Sequence, residues 1–212
     1  MVLLYEDEFS LSNTATVSYQ WGAKGKQPQV FCKQSKRERQ TAFGSLNYDT
    51  GQMTVSFADR GNSKTFKKHL KKVLHQYRDT SKVIMVLDNV AYHHAHKVRD
   101  WIEAHRKLEL YFLPAYSPDL NAVERAWWYM RKKITHNRYT KSLKERKGAF
   151  WKMFSHYQKP NEELKILVKL IIRLYIILLS IQQTCKYRGI SFFEFLKSDE
   201  TNISKFSAKS QS

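Results

Sequence analysis

Val83-Ile84-Met85-Val86-Leu87-Asp88-Asn89 is an unbroken apolar run closed by an acid and an amide. Five apolar residues without alternation read as a short strand covered on both faces, as strands of parallel sheets are. An acid at the C-terminal end of such a strand stands where α/β architectures place their chemistry. The flanking sequence supplies the rest of a sheet. Upstream, Lys64 to Tyr77 gathers Phe66, Leu70, Val73 and Leu74 on one helical face with lysines opposite. Further back, Thr41–Asn47 and Met53–Ala58 are strand-like runs joined by Tyr48-Asp49-Thr50-Gly51, a hairpin connection. Val2 to Phe9 alternates as a strand with Leu3, Tyr5 and Asp7 on one face, and Trp21-Gly22-Ala23-Lys24-Gly25 marks a turn. Downstream, Ala91–His105 reads as helix, Leu108–Leu113 as strand and Pro118–Thr135 as helix.

The order is therefore βββαβαβα, which predicts an α/β fold: a mixed five-stranded sheet flanked by helices, of the RNase H-like type. In that fold the first strand, the end of the fourth and the start of the last helix meet at one site. Asp7, Asp88 and Glu124 occupy those addresses. Three converging carboxylates form a hard oxygen site for two Mg²⁺ or Mn²⁺ ions, with Asp7 as the bridging ligand. Strand alternation sends Glu6 and Glu8 to the face opposite Asp7, so they are expected to be outer-sphere or structural.

Around the three acids stand Asn89, His93, Asn121, Arg125 and Arg131. His93 follows Asp88 at the entry to the next helix, within reach of a phosphate. His93, His94 and His96 fit no standard zinc spacing. Ser117 and Pro118 read as the cap and first position of the last helix, with Asp119 favouring its N-terminus. Asn121 and Glu124 then share a helical face, so the amide is expected to orient the carboxylate. Of Trp127 and Trp128, one should pack on the sheet and the other lie exposed. Arg125, Arg131, Lys132 and Lys133 suit contact with a DNA backbone, and equally suit a solvated basic face.

The balance of charge names a class of partner. Lys and Arg number 37 against 19 Asp and Glu, a formal net charge of +18 and a pI near 9.8 over 212 residues. Such an excess attracts phosphate backbones, although a basic protein bound to anionic lipid has the same balance. With 42% hydrophobic and 14% aromatic residues, the chain is not a disordered basic tail. Cys32 and Cys185 lack metal spacing and suit a reducing interior. The N-terminus is no signal peptide. Ile166 to Ile181 is too short and too interrupted, by Lys169 and Arg173, for a membrane span, and reads as a buried or self-associating helix.

Residues 1–140 are thus expected to form the catalytic domain, 141–198 a helical extension and 199–212 a disordered tail. In the extension Lys141–Lys147 reads as exposed and basic, and Phe150, Trp151, Phe154 and Tyr157 as a core or docking stripe.

Tyr5-Glu6-Asp7-Glu8, Trp21-Gly22-Ala23-Lys24-Gly25, Asp88-Asn89 with His93, and Ser117-Pro118-Asp119-Leu120-Asn121 ending in Glu124 resemble the catalytic domain of DDE transposases. The similarity runs over roughly Met1 to Phe154, and lies with the bacterial insertion-sequence branch of the mariner-like superfamily. It implies that Asp7, Asp88 and Glu124 are the metal-binding catalytic triad and that two Mg²⁺ or Mn²⁺ ions serve it. It also implies cleavage of double-stranded DNA at element ends, strand transfer into TA dinucleotides, a homodimer when active, and a cytoplasmic, nucleoid-associated setting. Two departures stand out. Ala122 replaces the family's usual proline, and the family's helix-turn-helix recognition modules do not precede Asp7. The chain is accordingly expected to work with a separate helix-turn-helix chain, or to be a non-catalytic remnant that binds DNA or a partner transposase.

Overall fold

Val2–Ser12 (β1) lies at the centre of a five-stranded sheet. The computed structural model describes residues 1–26, 29–30, 38–114 and 120–198. After β1 come Arg39–Asn47 (β2) and Met53–Ala58 (β3), then the helix Ser63–Gln76 (α1) and Val83–Leu87 (β4). A 3₁₀ turn at Ala91–His94 leads into His96–Glu103 (α2), Leu108–Phe112 (β5) and Ala122–Ile134 (α3). Three helices complete the chain: Leu143–Tyr157 (α4), Glu162–Tyr187 (α5) and Phe192–Lys197 (α6). The sheet order is β3-β2-β1-β4-β5. β1, β2 and β3 pair antiparallel, while β1, β4 and β5 pair parallel. This is the RNase H-like arrangement that the element order predicts.

Alternation along β1 divides the core in two. Val2 and Leu4 point to one face, into a cluster with Phe43, Phe66, Leu70, Val73, Met85, Leu87 and Val98. Phe9 points to the other, stacked on Trp127 at 5.4 Å between ring centroids and 5.1 Å from Phe150. Trp127 is buried and Trp128 half exposed, as expected of the pair.

Several boundaries differ from the sequence reading, each for a local reason. The helix expected over Ala91–His105 is interrupted at Ala95, whose extended backbone (φ −59°, ψ 139°) separates the 3₁₀ turn from α2. α3 begins at Ala122 and not at Pro118, because the Asn121 side chain accepts from Val123 N and caps the helix there. Ser117, Pro118 and Asp119 lie outside the described residues, as do Cys32 and the tail from 199. The compact unit holding the sheet runs Met1–Lys169 and includes α4. α4 belongs there because Phe150 and Phe154 are buried with Phe9 and Trp127. Within the segment expected to be exposed and basic, Arg146 is fully buried; it donates to the carbonyls of Thr14 and Arg138 and to Thr140 Oγ1.

The second unit, Leu170–Ser212, holds the C-terminal part of α5 and α6. Gly189 (φ 66°) ends α5, and Ile190 N donates back to Cys185 O at 2.9 Å. Among the described residues no helix is long and apolar enough to cross a membrane.

Gly44 sets how closely α3 approaches the sheet. A Cβ there would lie 2.3 Å from Trp127 Cζ2 and 2.6 Å from Cη2, both on a ring wedged into the core. Gly44→Ala is expected to destabilise the protein by about 1–3 kcal/mol through overpacking. Urea unfolding should show a lower midpoint at unchanged slope, and an unaltered midpoint would mean the ring has room to move.

Candidate active site

Register brings the first two acids side by side. β1 and β4 pair in parallel with Val2 opposite Val83 and Tyr5 opposite Val86. The same offset carried two residues further sets Asp88 level with Asp7, on strands about 4.8 Å apart. The pairing stops at Tyr5 and Val86, so beyond that point the edge of β1 facing β4 is open. Side chains from both faces of β1 reach around it. Ligand oxygens of Asp7, Glu8 and Asp88 all lie within 4.8 Å of one another, and those of Glu6 and Glu8 gather equally closely with a His93 nitrogen.

Glu124 arrives from the first turn of α3. One side chain fixes that helix to β1: Asn121 caps it through Oδ1 and donates Nδ2–H to the Glu6 carbonyl at 2.8 Å. Asn121 therefore positions the helix through its bonds to Val123 and Glu6. Glu124 stands outside the tight oxygen clusters but close enough to raise the proton affinity of both Asp7 and Asp88.

Crowded like charges in a water-poor site hold protons. Asp7 is pushed up to about 8, first by burial and then by Glu124 and Glu8, with the Glu8 backbone N–H pulling the other way. Glu6, completely buried, is driven well above the usual carboxylate range by burial and then by Glu8, Asp7 and Asp88. Asp88 is raised by burial and Glu8, opposed by the His93 ring and the Val90 backbone N–H. Three of these groups also lack hydrogen-bond partners at buried oxygens: both of Glu6, Asp7 Oδ2 and Asp88 Oδ1. Buried acceptors without donors are costly, and a divalent cation is the partner that oxygen ligands so spaced would take. The donor set fits Mg²⁺ or Mn²⁺.

The remaining sequence candidates fall into place around this group. His93 is buried against Phe66 and Tyr92, with Nε2 3.1 Å from Glu8 Oε1 and Nδ1 3.3 Å from the Asp88 carbonyl oxygen. Asn89 Oδ1 is bonded to His94 Nε2. Arg131 lies over the Phe9 ring, 4.7 Å from its centroid, and Arg125 is half-buried on α3. Glu8 is the residue that face alternation passed over. The signal for it was a run of three acids on an otherwise apolar strand, together with a strand pairing that ends just before them.

The family of DDE superfamily endonucleases matches residues 2–147 of this chain. An insertion element IS630 uncharacterized 39 kDa protein from Shigella sonnei is 26% identical over 141 residues, 66% of this chain and 41% of that protein. The chain thus spans less than half the length of this curated relative. Among solved structures, the Mos1 transposase paired-end complex with left transposon end superposes with a TM-score of 0.62 at 16% identity, covering 81% of this chain and 52% of that one. The catalytic domain of Mos1 mariner transposase gives a TM-score of 0.51 at 16% identity, covering 81% and 80%. At such identities the likeness is one of fold, and the fold is the one described above.

The proton on Asp7 makes stability depend on pH. The folded chain holds it between roughly pH 4, where the unfolded side chain releases it, and about 8. The metal-free protein should therefore lose stability as pH rises through that window, by up to about 1.4 kcal/mol per pH unit. Asp7→Asn should flatten this dependence in urea unfolding with chelator present. The same slope in variant and wild type would remove Asp7 as its source.

Proposed function

The chain belongs to the DDE superfamily of endonucleases, and from that membership we propose that it is the catalytic half of a metal-dependent DNA transposase. The observation that carries the reading is the pair of buried, donorless oxygens, Asp7 Oδ2 and Asp88 Oδ1, side by side at the open end of β4. Hard oxygens crowded together without hydrogen-bond partners suit divalent cations, which would displace the protons that burial and like charge hold there. Asp7, Asp88 and Glu124 would hold two Mg²⁺ or Mn²⁺ ions, and Glu8 would add a fourth carboxylate. When bound, such a pair activates an attacking oxygen and stabilises a leaving one.

The chain's own residues do the rest. The carboxylates would repel a bare phosphodiester, so their part is to hold the cations, and positioning of the phosphates falls to cationic and amide side chains. Asn121 keeps α3, and with it Glu124, at a set distance from β1. In this reading Arg125, Arg131 and Asn89 would supply guanidinium and amide groups that hold backbone phosphates and so position the duplex without reading its sequence. The net charge of +18 draws the polyanion to a site that is itself negative. The first step is hydrolysis of a phosphodiester at the element end, which releases a 3′-OH. That hydroxyl then attacks target DNA at the same site. A homodimer would supply one active site per element end.

Two measurements test this reading. Mn²⁺ should raise the thermal midpoint of the purified chain, by the equivalent of about 2.7 kcal/mol at a hundred times its dissociation constant, and should not do so for Asp88→Ala. Nicking of duplex DNA in Mn²⁺ should fall to background in Asp88→Ala and in Glu124→Ala, both still folded. Wild-type nicking by either variant would sink the triad. A folded wild type indifferent to Mn²⁺ would mark a non-catalytic remnant.

A further inference from the structure

We propose that Glu6, Glu8 and His93 form a second cation site, on the α1 side of the sheet, which takes a borderline divalent ion such as Zn²⁺ or Co²⁺ ahead of Mg²⁺. Three observations place it there. First, a ligand atom from each residue lies within 4.8 Å of the others. Second, Glu6 is fully buried and neither of its oxygens has a partner, so a complete carboxylate is aimed into the cluster with nothing to bind.

The third is the orientation of the imidazole. His93 Nδ1 faces the Asp88 carbonyl oxygen at 3.3 Å. A carbonyl only accepts, so Nδ1 carries the ring proton. Nε2, the other ring nitrogen, lies 3.1 Å from Glu8 Oε1. A cation seated there would take that nitrogen and that oxygen as ligands together. Metal-ligating histidines are arranged in this way, one nitrogen donating to a carbonyl and the other free for the ion. Phe66 and Tyr92 pack against the ring with centroids 4.3 and 4.6 Å away, so its orientation is set before any ion arrives. A proton on Nε2 would satisfy Glu8 but would leave both Glu6 oxygens buried and bare. Mixed nitrogen and oxygen donors favour Zn²⁺ or Co²⁺, whereas Mg²⁺ prefers oxygen alone.

The site is distinct from a cluster of His93, His94 and His96, because His94 is engaged with Asn89. It shares Glu8 with the group around Asp7 and Asp88 and touches Asp88 through His93 Nδ1, but its own ligands Glu6 and His93 are not among those of the proposed catalytic ions.

Zinc equivalents retained after dialysis, together with Co²⁺ absorption, decide it. Glu6→Gln and His93→Gln should each lose one equivalent relative to wild type, or bind it more than about tenfold more weakly. His93→Gln should also lose the visible band of nitrogen-ligated Co²⁺. Asp88→Ala should keep both the equivalent and the band. Thermal unfolding guards against misfolding: Glu6→Gln replaces a bare buried carboxylate with a neutral isostere, so its metal-free midpoint should rise while the Zn²⁺-induced increase disappears. Wild-type zinc content in Glu6→Gln overturns the proposal, as does a wild type that binds no zinc and whose midpoint ignores it. Failure of the catalytic cation site would appear differently, as metal binding in Asp88→Ala equal to wild type while Glu6→Gln still loses its share.

Discussion

Mutual repulsion among the carboxyl groups around β1 is the constraint on which the rest of the structure depends. Glu6, Asp7, Glu8, Asp88 and Glu124 stand within electrostatic reach of one another in a partly dry site, and burial and neighbours together raise the proton affinity of Glu6, Asp7 and Asp88. Left alone, that crowding would favour any conformation that spread the charges apart. The central strand of a sheet resists this, because β1 is locked by β2 along its length and by β4 along its first half. A rigid backbone under like charges is preorganised for a cation, since little ligand reorganisation remains when one binds. The same arrangement explains how a chain of net charge +18 can keep a negative centre. Distributed lysines and arginines attract a polyanion over long range, and cations at the carboxylates remove the short-range conflict.

Holding Glu124 against this group requires an anchor, and the packing of α3 supplies it. Gly44, opposite Asp7 in the β1–β2 register, leaves room for the Trp127 ring. Trp127 stacks on Phe9 and meets Phe154 edge-on, so α4 closes the layer from behind. Glu124 precedes Trp127 by three residues and shares its side of the helix, so the ring that seats in the core also turns the carboxylate toward Asp7. Asn121 adds the axial restraint by joining the helix start to the Glu6 carbonyl. Glycine, tryptophan and asparagine thus act together, although none of them needs to touch the substrate.

Strands and helices were legible because their periodicities are strong, and the addresses of Asp7 and Asp88 followed from element order. Three features were not. The break at Ala95 is a backbone turn in a stretch whose composition suits helix, and no proline or glycine marks it. Burial of Arg146 depends on the carbonyls of Thr14 and Arg138, which only the folded chain brings to it. A basic run of sequence reads as solvated unless such partners are known. Glu8 was set aside by a correct rule applied where it stops deciding the outcome. Alternation does put Glu8 and Asp7 on opposite faces, but faces are separated only where a neighbouring strand closes the gap.

That open edge also orders the acids by access. The Asp88 side chain is 41% exposed, that of Glu8 15%, and Glu6 is sealed. Among these described acids Asp88 is the one most open to a bulky polyanion, and Glu6 the one most withdrawn from it. Glu8 stands at the junction, able to turn toward either cluster. In the proposed reaction this gradient separates two tasks that a single row of carboxylates could not divide. The outer acids would meet the ions and phosphate of the reaction, and the inner ones would stay shielded from the substrate beneath them.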